Sequence, residues 1–581
     1  MTPRSATPVP RLSPARRFGP LVAVLLAIAL VAAIASTGHD TQDLAVGGTG
    51  ETAAATAKAK VAQRDPNLPI TYQEAKQDGT LAKYDFGRNC DPRTGRVKVP
   101  SLYAPPCLAA PRAVKGGATA QGVTAKTITI VLYQPADQDL AAVLQAKLDP
   151  PSRVQKTEEA FLDMFQHTFN TWGRKIVIKR LKGSGVDETS ARADAVKVDE
   201  EYHAFASLNG PSQAPAYADE LASRRVLCIN CGLGVPDSRY QKNAPYMWGW
   251  LQTPEQFLLN LGDYIVNRLL HRKAAHAGDP AFRSRERSFG VVHFEQDPPV
   301  FGGVEKLVAA QGKKRGFEAK AQLTYQLILD KLGEQARTIV AKLKSEHVTT
   351  VIFLGDPIMP INLTKAATEQ NYFPEWIITG TVLTDTTTLG RLYDQKQWSH
   401  AFGVSSIPVP TGQKNAEGWR LHKWYFGTDP VAKLTATLIY QAIQQFMLGV
   451  HMAGPKLSTD TFRGGMFKYP ASGGGPTTGQ VSYGNKKVFD APAVGFPGKP
   501  DYLGVDDMTE IWWDSKSRAT DEQGVPGVGV VRYANGGKRF LPGKMPKRAD
   551  DAFKVAGSVY KYDTAPPEDR PPSYPSPHNG G

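Results

Sequence analysis

Short apolar, β-branched runs bounded by Gly, Pro or Asp alternate with longer stretches of helical periodicity, and this cadence passes along the chain twice. The first pass opens on Thr127-Ile-Thr-Ile-Val-Leu-Tyr133 and runs through a helix ending at Asn170-Thr-Trp-Gly-Arg-Lys175. Strands at Ile176–Lys179 and Arg225–Ile229 follow. The second opens at Phe289–Phe294 and proceeds through Thr349–Leu354 to Trp376–Thr379. Such alternation predicts parallel βαβ units. Two parallel sheets joined by a hinge imply a cleft between lobes, with ligand sites beyond the carboxyl ends of the strands. A helix is predicted over Val431–Ala453, with Leu434, Leu438, Ile439, Ala442, Phe446 and Val450 at core-facing spacing. A late strand is predicted at Met508–Trp513.

At 581 residues the chain exceeds what one core usually supports, so two lobes with appendages are expected. Residues 122–250 and 383–455 are read as lobe 1, and 251–382 and 456–550 as lobe 2. Crossings are expected near Leu251–Pro254, Thr381–Asp385 and Gly454–Leu457, where element ends meet turn-forming or polar residues. Residues 37–121 read as a linker and an irregular cap bearing a cysteine pair. The Pro-rich, polar stretch 551–581 reads as a disordered tail.

Arg4, Arg11, Arg16 and Arg17 precede an uncharged run over Phe18–Ser36, with Ala33 and Ala35 at an A-x-A spacing. Residues 1–36 therefore read as a secretory signal, or as an anchor if uncleaved. Export makes the four cysteines legible: Cys90 with Cys107 and Cys228 with Cys231 are expected as disulfides. A redox CxxC would open a helix, whereas Gly232-Leu-Gly-Val-Pro236 follows this one.

The formal charge of +14 raises the question of anionic partners, but the positive charge is diffuse. The basic run HRKAAHAGDPAFRSRER lacks interleaved aromatics and reads as a solvated loop, so no nucleic-acid partner is expected. No GxSxG elbow, HExxH, Walker loop or EF-hand loop is present, and Gly232-x-Gly234 lacks the third glycine of a dinucleotide fingerprint. The adjacent acidic pairs Asp506-Asp507 and Glu158-Glu159 read as solvated. No catalytic residue, metal or cofactor is assigned.

Several stretches resemble the type I periplasmic-binding-protein family, in particular the substrate-binding proteins of branched-chain amino-acid ABC transporters. They are Gly122-Val-Thr-Ala-Lys-Thr-Ile-Thr-Ile130, Trp172-Gly-Arg-Lys-Ile176, Pro245-Tyr-Met-Trp248, Val291-Val-His-Phe294 with Phe301-Gly302, Gly355, Tyr440-Gln-Ala442 and Ala453-Gly454. The resemblance spans roughly residues 122–518. It implies an α/β fold of two lobes, parallel sheets flanked by helices and a hinge of several crossings. It further implies an exported, monomeric solute-binding protein that is not an enzyme, needs no cofactor, and delivers a small-molecule ligand to an ABC-type membrane permease. By position the ligand would meet Tyr133, Ser212, Gln213 and Gly232 on the first lobe, and Phe301, Asp356 and Thr381 on the second. Two departures stand out. The family's amino-acid binders carry a Thr where Gly234 stands and an acidic residue near Thr381. Without that acid an α-ammonium would be buried unpaired, so a polar, partly aromatic or amide-bearing solute is expected over leucine. The alternatives are a membrane-anchored sensing ectodomain of the same fold and a secreted enzyme on a similar scaffold.

Overall fold

The computed structural model describes residues 65–579, apart from 111–115, 140–141, 143–147, 213, 233, 296–315, 485–487, 490–498 and 523. Two hydrophobic cores divide the chain. The first is built on a five-stranded, all-parallel sheet of β1 (Thr127–Gln134), β2 (Lys175–Lys182), β3 (Ala206–Leu208), β4 (Leu227–Ile229) and β5 (Met247–Trp248), in the order β2-β1-β3-β4-β5. The helix α1 (Pro151–Thr168) returns the chain from β1 to β2, while α2 (Glu188–Glu200) and α3 (Ala216–Ser223) pack against each other.

The second core surrounds β6 (Phe289–Phe294), β7 (Ala319–Tyr325), β8 (Thr350–Leu354), β9 (Glu375–Ile378) and β10 (Ala401–Ser405), parallel in the order β7-β6-β8-β9-β10. Two antiparallel strands, β11 (Met508–Thr520) and β12 (Pro526–Tyr533), extend this sheet beyond β10. The fully buried run of β6, with every residue inside, is what a parallel strand covered on both faces requires. Helices α4 (Pro254–Tyr264), α5 (Leu332–Ser345) and α6 (Met359–Glu369) cover the sheet. The start of α4 is set by Thr253, whose hydroxyl accepts from the Gln256 amide while the Gln256 side chain accepts from the Thr253 amide.

After the second core the chain returns to the first. Helices α7 (Glu417–Phe426), α8 (Ala436–Ala453) and α9 (Thr459–Lys468), with Val481, Tyr483 and Tyr502–Val505, complete the lobe 1 core. Met508 onward belongs to the second core. The chain therefore crosses at 251–256, at 406–416 and at 505–507, and only the first crossing stands where the sequence pattern put it. Thr381–Asp385 lies within lobe 2, because β10 must complete the second sheet before the chain can leave. That strand, Ala401-Phe-Gly-Val-Ser405, is short and carries a glycine, which hid it. Gly454–Leu457 is the turn between α8 and α9, which pack together in lobe 1.

Four further expectations are corrected. Helix α8 begins at Ala436, and Leu434 and Leu438 are exposed, because the buried face runs through Tyr440, Ile443, Phe446 and Val450. Asp506 and Asp507 are buried, not solvated: Asp507 pairs with the buried Arg539 at 2.8 Å. The basic run is partly built into lobe 2, where Arg287 is buried against Glu375 at 2.7 Å. Residues 551–579 are not a disordered tail but pack along both lobes, as described below. Both expected disulfides, Cys90–Cys107 and Cys228–Cys231, are present, with Cα separations of 5.5 and 5.6 Å. Among the described residues no helix is long and apolar enough to cross a membrane; residues 1–36 lie outside them.

Candidate functional site

Each parallel sheet runs second-first-third-fourth-fifth, so the strand order reverses between the first and third strand of each lobe. A crevice opens at such a reversal, because the loops leaving the two strands turn to opposite faces. The first crossing leaves from the carboxyl end of β5 and the second from that of β10. Both sheets therefore direct their carboxyl ends, and with them their reversal points, toward the hinge. The crossings are themselves paired: Gly249 donates to the Tyr502 carbonyl at 3.1 Å and Val505 to the Trp250 carbonyl at 3.0 Å.

In lobe 1 the reversal point is closed by Asp139, in the loop after β1. Its buried carboxylate accepts from the Ser212 amide at 3.0 Å and from the Ser212 hydroxyl at 2.6 Å, clasping the loop after β3. Ser212, named from the sequence, stands at this point with its donor in use. Tyr133 does not line the crevice. Its ring is buried 4.8 Å from that of Tyr217, and its hydroxyl donates to the buried Asp194 at 3.2 Å. Burial pushes the phenol well up, so it stays protonated. Gly232 lies in the loop after β4, its carbonyl accepting from the Tyr240 hydroxyl at 3.0 Å. A Cβ there would stand 2.7 Å from the Met247 methyl, which would have to swing aside to admit it. Gln213 and Phe301 lie outside the described residues.

In lobe 2 the carboxyl ends of β8, β9 and β10 carry a buried polar layer. Asp356 is wholly buried and accepts from the Tyr325 hydroxyl and from the amides of Ile358 at 2.7 Å and Met359 at 3.0 Å. Its carboxylate thus fastens the start of α6 rather than facing a ligand, and burial raises its carboxyl above the usual range. Thr381 is joined to the same turn, its hydroxyl donating to the Gly355 carbonyl at 3.1 Å and accepting from the Gly355 amide at 3.2 Å. Two of the sequence-named residues are therefore brought together, one on each side of Gly355.

Sequence reasoning missed the deeper part of this layer. Asp385 is buried and accepts from the Ser405 hydroxyl through one oxygen, while the other has no hydrogen-bond partner among the described residues. Desolvation pushes its carboxyl up to about 7. The buried Tyr393 hydroxyl is likewise without a partner among the described residues, and it feels both Asp356 and Asp385. No motif marks these residues, because they come together only when β8, β9 and β10 lie side by side. The layer combines Asp385, partly neutral near pH 7, with an Asp356 whose oxygens are already taken by donors and with several hydroxyls, a set suited to hydrogen bonding. Among the described residues no group of three or more His, Cys, Asp or Glu is arranged to hold a metal ion.

A cavity of about 350 Å³ lies away from the hinge-facing loops, where the cap (Arg96, Ser101), lobe 1 (Ser472) and the C-terminal segment (Asp569, Tyr574) meet.

No family model and no curated protein matches the chain. Solved structures do. The chain is similar to a solute-binding protein of an ABC transporter from Rhodopseudomonas palustris BisB5 in complex with 3,4-dihydroxybenzoic acid. That match has 12% identity and a TM-score of 0.44, over 73% of this chain and 98% of that one. It is also similar to the branched-chain amino acid transporter substrate-binding protein LivJ from Streptococcus pneumoniae in complex with isoleucine, with 13% identity and a TM-score of 0.41, over 70% of this chain and 100% of that one. A fatty acid ABC transporter substrate-binding protein from Thermomonospora curvata matches at 14% identity and a TM-score of 0.42, over 72% and 94%. The architecture itself rests on the sheets and cores above: two α/β lobes of the same strand order, joined by three crossings, make up the two-lobed fold that the resemblance to type I periplasmic binding proteins implies.

Proposed function

We propose that the protein is an exported solute-binding protein that takes a small ligand between its lobes and presents the closed form to a membrane permease. The observation that carries this reading is the convergence of two strand-order reversals, one per lobe, on a shared hinge. A ligand bridging the lobes would be held by both only when they close, which couples occupancy to shape. No bond is made or broken in this reading.

The ligand is read as a polar or anionic solute with an apolar or aromatic body, not a free α-amino acid. Asp356 and Asp385 are both pushed up by burial, and Asp356 spends its oxygens on α6 and Tyr325. Asp356 therefore has no oxygen to spare for an ammonium group, and Asp385 would have to give up the proton that desolvation holds on it. In this reading Gly232 and Ser212 serve the first lobe's share of the site and Thr381 the second's.

Titration calorimetry against hydroxybenzoates, acyl carboxylates and branched-chain amino acids tests this. The expected result is one-to-one saturation by a member of the first two classes, weakened about tenfold in Ser212→Ala as the Asp139 clasp loosens. Tight binding of leucine or valine would overturn the ligand class. Saturable binding that Ser212→Ala leaves untouched would move the site away from the first lobe's reversal point.

A further inference from the structure

The C-terminal segment connects the two lobes a fourth time. Its root is fixed in lobe 2, where Asp551 meets the buried Arg268 at 2.9 Å and Asp550 meets His276 at 2.8 Å. It then runs beside β12, exchanging backbone hydrogen bonds between Val559 and Tyr533 at 2.7 and 3.0 Å. At the second crossing Tyr562 donates to the Pro410 carbonyl at 2.9 Å, alongside Thr411. Beyond the hinge the segment is fastened to lobe 1. The buried Asp569 accepts from the hydroxyls of Thr477 at 2.7 Å and Thr478 at 2.6 Å. The Tyr574 hydroxyl donates to Asp91 of the disulfide-bearing cap at 2.8 Å, and its carbonyl accepts from the Trp424 indole at 2.8 Å.

The composition explains how such a segment can order without a core of its own. Pro566, Pro567, Pro571, Pro572, Pro575 and Pro577 restrict the backbone before it docks, so less conformational entropy is lost on docking than in a flexible chain. The docking free energy then comes from a few side-chain anchors, one buried carboxylate and one tyrosine foremost. A chain fixed to a lobe on each side of a hinge limits rotation about it. Crossings through the hinge permit rotation, whereas Tyr574 is attached beyond it, to α7 and the cap, and Asp569 grips the loop beside the crossings, where Val409 donates to the Pro476 carbonyl.

We propose that residues 551–579 form a strap that restrains the angle between the lobes, and that unfastening Asp569 and Tyr574 lets the lobes open further. The strap is independent of which ligand the cleft takes.

Spin labels on K156C of α1 and K365C of α6, both exposed and one in each lobe, report the inter-lobe distance by pulsed electron resonance. All four native cysteines are in disulfides, so the labels go only to the introduced ones. Two variants are compared with the full-length parent: a chain ending at Asp563, and the full-length double substitution Asp569→Ala with Tyr574→Phe. The strap predicts a shift of the mean to longer distance and a broader distribution in both, with the circular dichroism of a folded protein retained. If the shortened chain does not fold, the double substitution decides. A distance distribution unchanged from the parent in a folded variant, whether or not the melting temperature falls, would reduce the segment to a static brace and overturn the proposal.

Discussion

Replacing Asp385 with Asn should reverse part of the pH dependence of stability. The buried carboxyl has one oxygen bonded to Ser405 and the other without a partner among the described residues, and desolvation, with a smaller contribution from Glu522, raises it to about 7. In the unfolded chain it titrates near the ordinary carboxylate value of about 3.9. Below pH 4 both states are protonated and the group is neutral to folding. Between pH 4 and 7 the unfolded chain releases a proton the folded chain keeps, so stability falls as pH rises. Above 7 both are ionised and the folded state carries the whole penalty. A displacement of about 3 pH units at 1.36 kcal/mol each makes that penalty about 4 kcal/mol, an upper figure because relaxation around the charge reduces it. Asn still accepts from the Ser405 hydroxyl but cannot ionise. Urea unfolding of parent and Asp385→Asn, followed by tryptophan fluorescence at pH 4.5 and pH 8, should show the variant gaining stability relative to the parent at the higher pH. Parallel behaviour of the two proteins across that range would refute the reasoning, since it would mean that Asp385 titrates alike in both states.

Two other substitutions probe the frame that holds the site. Asp149, itself buried, accepts from the amides of Lys433, Leu434 and Thr435 at 2.8–3.1 Å just before α8; Asp149→Ala should cost about 2–3 kcal/mol by leaving those donors unpaired, read as a lowered melting temperature with unchanged far-ultraviolet dichroism. Arg268→Met leaves Glu510 buried without its cation, while Asp551 keeps Arg548 and Lys554, and should cost about 3–5 kcal/mol, whereas adding Glu510→Leu should recover part of the loss, a non-additivity that a double-mutant cycle of unfolding midpoints measures.

Much of the frame could be read directly from the chain. Runs such as Phe289–Phe294 and Thr350–Leu354 are apolar but for His293 and Thr350, so they declare buried parallel strands with no help from their neighbours. Both cysteine pairs were legible because each is local. Thr253-Pro254 marked the first crossing, since a capping threonine followed by proline starts a helix on local chemistry alone. Short strands such as Ala206–Leu208 and Ala401–Ser405 were lost, because three to five residues carry too little periodicity to stand out.

Tertiary structure alone decided where charge is buried and which segments return to which lobe. Asp506-Asp507 reads as a solvated acidic pair until Arg539, 32 residues away, is brought against it. Asp356 looks like a ligand carboxylate until Tyr325 and the start of α6 take its oxygens. Residues 551–579 have the composition of a disordered tail, and they order because Thr477, Thr478, Trp424 and Asp91 offer partners on surfaces the tail does not encode. The physical reason is common to all three. Hydrophobic periodicity is a property of neighbours along the chain, whereas the cost of burying a polar group is set by partners that arrive from far away in sequence.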